Sequence, residues 1–303
     1  MTDYLLLIVA DLLLAVNFAI NKIYQKRAGT SFKAGFVFSA MTGLFTSVIF
    51  FLYNGFTGGF RFSVSAVSVI FAILLSLLGT SYSLIGFRIM KRRGMSLYTL
   101  FLMTGGMTVP YLFGLIFLDE KFSVLRTIGL IVIIAGVFFS GFGKEKPDRI
   151  SIILCVIVFF LNGGVSVVSK LHSINAMAVP PEEFVVLSSL IGFATNLILM
   201  FTVKDPPEKK PKKEPFSLRL CVNLFALPAI SAVVGGISSV LQLTGAETID
   251  ASLLYPFITG GSIVFSTLTG WLIFKEKLSK NMILSIILAF IGTLFFLNFK
   301  EIL

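Results

Sequence analysis

Residues 96–145 read SLYTLFLMTGGMTVPYLFGLIFLDEKFSVLRTIGLIVIIAGVFFSGFGKE, and residues 252–301 read SLLYPFITGGSIVFSTLTGWLIFKEKLSKNMILSIILAFIGTLFFLNFKE. The second stretch restates the first at a shift of 156 residues. Ser96, Leu97, Phe101, Gly105 and Gly114 fall on Ser252, Leu253, Phe257, Gly261 and Gly270. Glu120, Lys121 and Ser123 fall on Glu276, Lys277 and Ser279, and Gly136 and Phe139 on Gly292 and Phe295. Gly79 falls on Gly235 at the same shift. Apolar residues coincide easily in so apolar a chain, so the glycines, the Glu-Lys pair and their spacing carry the argument.

The rest of the chain explains what is being repeated. It has 303 residues, of which 56% are hydrophobic and 13% charged, with a mean hydropathy of +0.96. A soluble domain is about 25% charged because its surface faces water. This composition therefore describes a polytopic membrane protein. A helix needs about 20 apolar residues to cross the hydrocarbon core. Ten such runs can be read, at 4–23, 34–53, 66–87, 96–117, 127–143, 150–169, 184–203, 220–243, 251–274 and 281–299. Backbone groups in lipid must pair within the segment, which makes each run a helix; a β-barrel would alternate apolar and polar residues. Run one lacks a basic leader and a small-residue cleavage site before Lys22, so it is read as a span, not a signal peptide. Glycines spread through the runs, such as Gly105, Gly106, Gly260 and Gly261, are expected at close helix crossings. Lys204–Pro215 reads as a solvated loop, and Cys155 and Cys221 as small packing residues.

The spans thus form an all-α membrane protein of ten transmembrane helices in two five-helix repeats, 1–146 and 147–303, within one membrane unit. Five is odd, so the second copy enters the membrane inverted. Inverted repeats give many secondary transporters two exchanging conformations around a midplane site. Positive charge sorts by loop: 20 of the 25 Lys and Arg residues lie after spans 1, 3, 5, 7 and 9. Such loops are retained in the cytoplasm, so both termini are expected outside. This bias accounts for most of the net charge of +10, and no nucleic acid partner is required. The partners expected are the bilayer, a small-molecule substrate and, in a coupled cycle, protons.

Polar groups inside a membrane are expensive and are functional candidates by default. Asp11, inside the first span, is a candidate for proton coupling, against a bland reading as a carboxylate wetted at the interface. Asn17 and Asn21 share another face of that span, and Asn162 and Ser166 share a face of span 6. Amides so paired suit the polar groups of a substrate, or interhelical hydrogen bonds. Tyr82 and Gln242 put an aromatic and an amide on spans 3 and 8; Met103 adds a soft wall. Tyr255-Pro256 opens span 9, where Pro breaks the helix or caps its start. Glu120 and Glu276 sit at helix junctions and are expected to cap the following helix or pair with a lysine. Lys170 is expected at the interface. His172, read as a lone loop histidine, supplies no metal ligand set, and no Walker loop is present. No cofactor, metal or enzymatic chemistry is expected; an integral membrane enzyme or a scaffold is the reading from another class.

Leu14-Ala15-Val16-Asn17-Phe18-Ala19-Ile20-Asn21-Lys22 resembles the first-helix motif Trp-Gly-Ser-Asn-Phe, followed by Lys, of EamA-type transporters in the drug/metabolite transporter superfamily. Leu118–Ser123 with Gly129 and Gly136 resembles that family's junction of helices 4 and 5, and Glu276, Ser285 and Gly292 repeat the spacing. Leu14-Ala15 stands for Trp-Gly, an Arg common in helix 2 is missing near Ser39–Met41, and a helix-4 Pro is displaced to Pro110. The resemblance implies ten spans in two halves, cytoplasmic termini, a role for Lys22 at the substrate, and export of amino-acid-like metabolites. Uptake, or export of drugs or organic cations, is the alternative within the fold.

Overall fold

The computed structural model describes residues 2–28, 31–59, 62–93, 95–141, 149–203, 222–275 and 279–297. They form α1 (Thr2–Ala28), α2 (Phe32–Gly58), α3 (Ala66–Arg93), α4 (Met95–Phe117), α5 (Val124–Gly141), α6 (Arg149–Ser173), α7 (Pro181–Thr202), α8 (Leu227–Thr248), α9 (Ala251–Phe274) and α10 (Lys280–Leu294). A single π-helical turn, Val222–Ala226, leads into α8. The protein is a multi-pass, all-helical membrane protein. Glu276, Cys221 and the loop Lys204–Pro215 lie outside the described residues.

Among the described residues eight helices are long and apolar enough to cross a membrane, where ten spans were expected. The apolar stretches of α5 and α10, Val124–Phe139 and Lys280–Leu294, are shorter. At about 1.5 Å per residue α10 is about 22 Å long, against about 30 Å of hydrocarbon. Its start is fixed by Ser279, whose side chain accepts from Met282 N at 3.3 Å. Its end is fixed by Phe295, whose amide closes on Gly292 and Thr293. The eighth span, expected at 220–243, lies at 224–248. Pro228 suits the first helical turn, and hydrogen bonding continues past the polar Thr244–Glu247 until Ile249 N closes on Gly245 O. Pro256 neither breaks nor opens a helix; it lies inside α9.

Helix pairing crosses the middle of the sequence. α1 packs on α8 and α9, α6 packs on α3 and α4, α2 packs on α7, and α5 packs on α10. The last pair is antiparallel. Gly129 near the start of α5 meets Gly292 near the end of α10, and Gly136 meets the Ser285–Ala289 turn. The motif glycines of these helices are therefore small because two backbones pass there. Gly105 likewise lies against the backbone of Phe159, and Gly261 against the Asp11 carboxylate.

Candidate functional site

A cavity of about 610 Å³ lies among α1, α2, α3, α4, α6, α7, α8 and α9. This is within the size range, roughly 300–1,000 Å³, of small-molecule sites. Of its 29 described lining residues, 15 carry an amide or a hydroxyl, and none of them is Asp, Glu, Lys, Arg or His. The remainder are small or apolar, including Leu14, Phe18 and Phe184.

Seven residues singled out from sequence come together here: Asn17, Tyr82, Met103, Asn162, Ser166, Gln242 and Tyr255. The Asn17 side-chain oxygen accepts from Ser231 Oγ at 2.6 Å, and its amide nitrogen lies over Gly235. Asn162 Nδ2 donates to Leu102 O at 2.8 Å, and Gly106 leaves it the room to do so. Pro110 has no amide hydrogen, so the carbonyl of Gly106 loses its helical donor. Ser166 Oγ donates to that carbonyl at 3.1 Å. Gln242 Nε2 donates to Ser238 Oγ at 3.0 Å, and Ser238 itself donates to Ala10 O. These bonds fix one end of each amide. Asn17 Nδ2, Asn162 Oδ1 and Gln242 Oε1 have no hydrogen-bond partner among the described residues.

Two candidates are not in the lining. Asn21 Nδ2 is bonded to Asn17 O at 3.0 Å, one turn back on its own helix. Lys22 has its ammonium 4.9 Å from the centre of the Phe274 ring, and Lys26 lies 4.5 Å from the same ring. Asn17 and Asn162 meet different partners. The first packs on α8 and the second on α4, so they are not equivalent positions of two first helices. The hydroxyls of Thr42, Thr46, Ser188, Ser189, Ser231, Ser239, Thr259 and Ser262 were missed. Their signal was present as Ser-Ser pairs and spaced threonines inside apolar spans.

Asp11 is fully buried and outside the lining, and neither carboxylate oxygen has a hydrogen-bond partner among the described residues. The interfacial, wetted reading is overturned by that burial. Lys170, expected at the interface, is buried too, and donates to Ala246 O and Ile249 O at 2.7 Å each. Glu120 caps α9, across the bundle, instead of the following α5. Its two oxygens accept from Ala251 N at 2.6 Å and Ser252 N at 2.8 Å. Arg126 pairs with Asp250 at 3.2 Å. A carboxylate thus meets a helix start and an ammonium meets a helix end at the α8–α9 turn, both in the sense the helix dipole favours. His172 lies in α6, not a loop; it is buried, stacked on Phe184 and 3.0 Å from Ser68 Oγ. Ser68 Oγ also accepts from Val179 N, so this group ties the α6–α7 connection to α3.

No curated protein matches the chain. A crystal structure of a protein of unstated function superposes with a TM-score of 0.66 at 17% identity, over 94% of this chain and 97% of that one. At that identity the likeness shows the fold alone. Residues 149–298 match the sequence profile of the EamA-like transporter family. The match covers α6 to α10, where the resemblance had rested only on Glu276, Ser285 and Gly292. Over residues 149–298 this chain belongs to the EamA-like transporter family.

Proposed function

We propose that this protein is a secondary carrier of small polar or amphipathic metabolites in the cytoplasmic membrane, working by alternating access between 1–146 and 147–303. The observation that carries the reading is the provenance of the cavity wall. Four helices of each half, α1–α4 and α6–α9, contribute to it, while α5 and α10 do not. A site built equally from two copies changes its access when one copy tilts against the other. The antiparallel α5–α10 contact supports inversion of the copies, since exchanging the halves returns the same pair of contacts.

The substrate contacts are Asn17, Tyr82, Met103, Asn162, Ser166, Gln242 and Tyr255. In the conformation described, one end of the bundle is tied by Glu120, Lys170 and the Arg126–Asp250 pair. By loop charge this is the outer face, so opening outward breaks these bonds. Asp11 lies between α1 and α9, helices of opposite halves, and is the group through which a proton would couple to that movement. Export of amino-acid-like solutes is the direction the family resemblance implies.

The test is a thermal-stability screen of the purified full chain against amino acids, amines, nucleosides and sugars at two pH values. A ligand of the folded state raises the midpoint by mass action. A shift that is lost in both Asn17→Ala and Asn162→Ala supports the cavity. A shift that survives both substitutions places binding elsewhere.

A further inference from the structure

We infer that the cavity selects uncharged solutes rich in hydroxyl or amide groups, in preference to organic cations, anions or zwitterions. This deepens the carrier reading and rests on it, but it departs from the amino-acid-like solutes that the family resemblance implies. A full charge taken from water into a low-dielectric site is strongly disfavoured unless an opposite charge meets it. No described lining residue is acidic, basic or a histidine. The two charged side chains buried among the described residues are committed or screened from it. Lys170 has its ammonium held by Ala246 O and Ile249 O, and Asp11 lies behind the wall against Gly261.

The wall offers hydrogen bonds instead. Asn17 presents an amide donor, and Asn162 and Gln242 present carbonyl acceptors. Twelve hydroxyls, each both donor and acceptor, surround them. Tyr82 and Tyr255 add aromatic faces. A neutral solute with several donors and acceptors satisfies such a wall, and a site built to pair polar groups rejects solutes that leave them unpaired. A zwitterion brings two full charges and finds a counter-charge for neither.

The experiment is counterflow of labelled probes in proteoliposomes of the full chain. The probes are uridine and myo-inositol (uncharged), leucine (zwitterion), tetraethylammonium (cation) and glucose 6-phosphate (anion). At least one uncharged probe is expected to move tenfold or more faster than either charged one, with leucine below it. Ser239→Asp, which puts a carboxylate on an accessible lining position, is expected to raise tetraethylammonium flux about tenfold. Wild-type flux of tetraethylammonium, glucose 6-phosphate or leucine equal to that of both uncharged probes overturns the inference and leaves the carrier reading standing. No flux of any probe overturns the carrier reading itself.

Discussion

Asp11 shows how much a single residue can depend on its neighbours. It is a full carboxyl group held between α1 and α9 with no hydrogen-bond donor beside it among the described residues. Titratable groups on the helices packed against α1 are Glu247 at the end of α8 and Tyr255 near the start of α9, and neither is bonded to it. Replacing the carboxyl by its neutral isostere removes nothing that holds the fold together. Asp11→Asn is therefore expected to change the unfolding free energy by less than about 1 kcal/mol and to flatten the pH dependence of transport. A midpoint drop equivalent to several kcal/mol would make the carboxylate a structural group. Glycines give a sharper contrast. A Cβ at Gly105 would run into the Phe159 backbone, whereas one at Gly192 meets nothing within 4 Å. Gly105→Ala should cost about 1–3 kcal/mol by overpacking. Gly192→Ala should be neutral or gain about 0.5–1 kcal/mol from helix propensity. Thermal melts of the two variants in one detergent decide it; equal midpoints would contradict the close α4–α6 crossing.

At the level of elements, the ends of α8 and α9 are held by side chains from other helices. Glu120 occupies the start of α9, and Lys170 the end of α8. Glu120→Ala leaves two amides without their acceptor, a loss of about 0.5–2 kcal/mol by analogy with other helix caps. Glu120→Gln keeps one acceptor oxygen and should fall between the two. Both variants are expected to increase maleimide labelling of a cysteine at Ser169, which lies on the cavity wall one residue from Lys170. Unchanged labelling would mean that these contacts do not close this end. The sequence showed Glu120 as a junction residue, through its match to Glu276 and its place after an apolar run. It could not show the partner, 131 residues away. Periodicity reports what a helix presents to its surroundings and not which helix it meets. The same limit explains Asn21 and Lys22. Asn21 follows Asn17 by one turn and Lys22 follows Phe18 by one turn, yet the first turns back on its own helix and the second leans toward Phe274.

For the whole molecule, the proposed repeat of residues 96–145 in 252–301 fits the packing only with a change of register. Gly105 and Gly261 are equivalent by sequence, and they meet α6 at Phe159 and α1 at Asp11. That aligns the first helices at a shift of 148 rather than 156, with Lys22 falling on Lys170. The difference is absorbed by unequal connections between helices, which a single ungapped comparison misses. The all-helical membrane class and seven of the described lining residues were legible because amides, tyrosines and other large polar side chains in apolar spans are few. The small hydroxyls were not, because Ser and Thr also satisfy their own helix backbones, as Thr104 and Thr293 do.

The central claim is that one cavity opens by turns to both faces of the membrane. The most direct measurement places a single cysteine at Ser239, with Cys155 and Cys221 replaced by Ala. A membrane-impermeant maleimide is then applied to right-side-out and to inverted vesicles. The account predicts labelling from both sides, with a transported solute slowing both. Labelling from one side only, with or without solute, would contradict it.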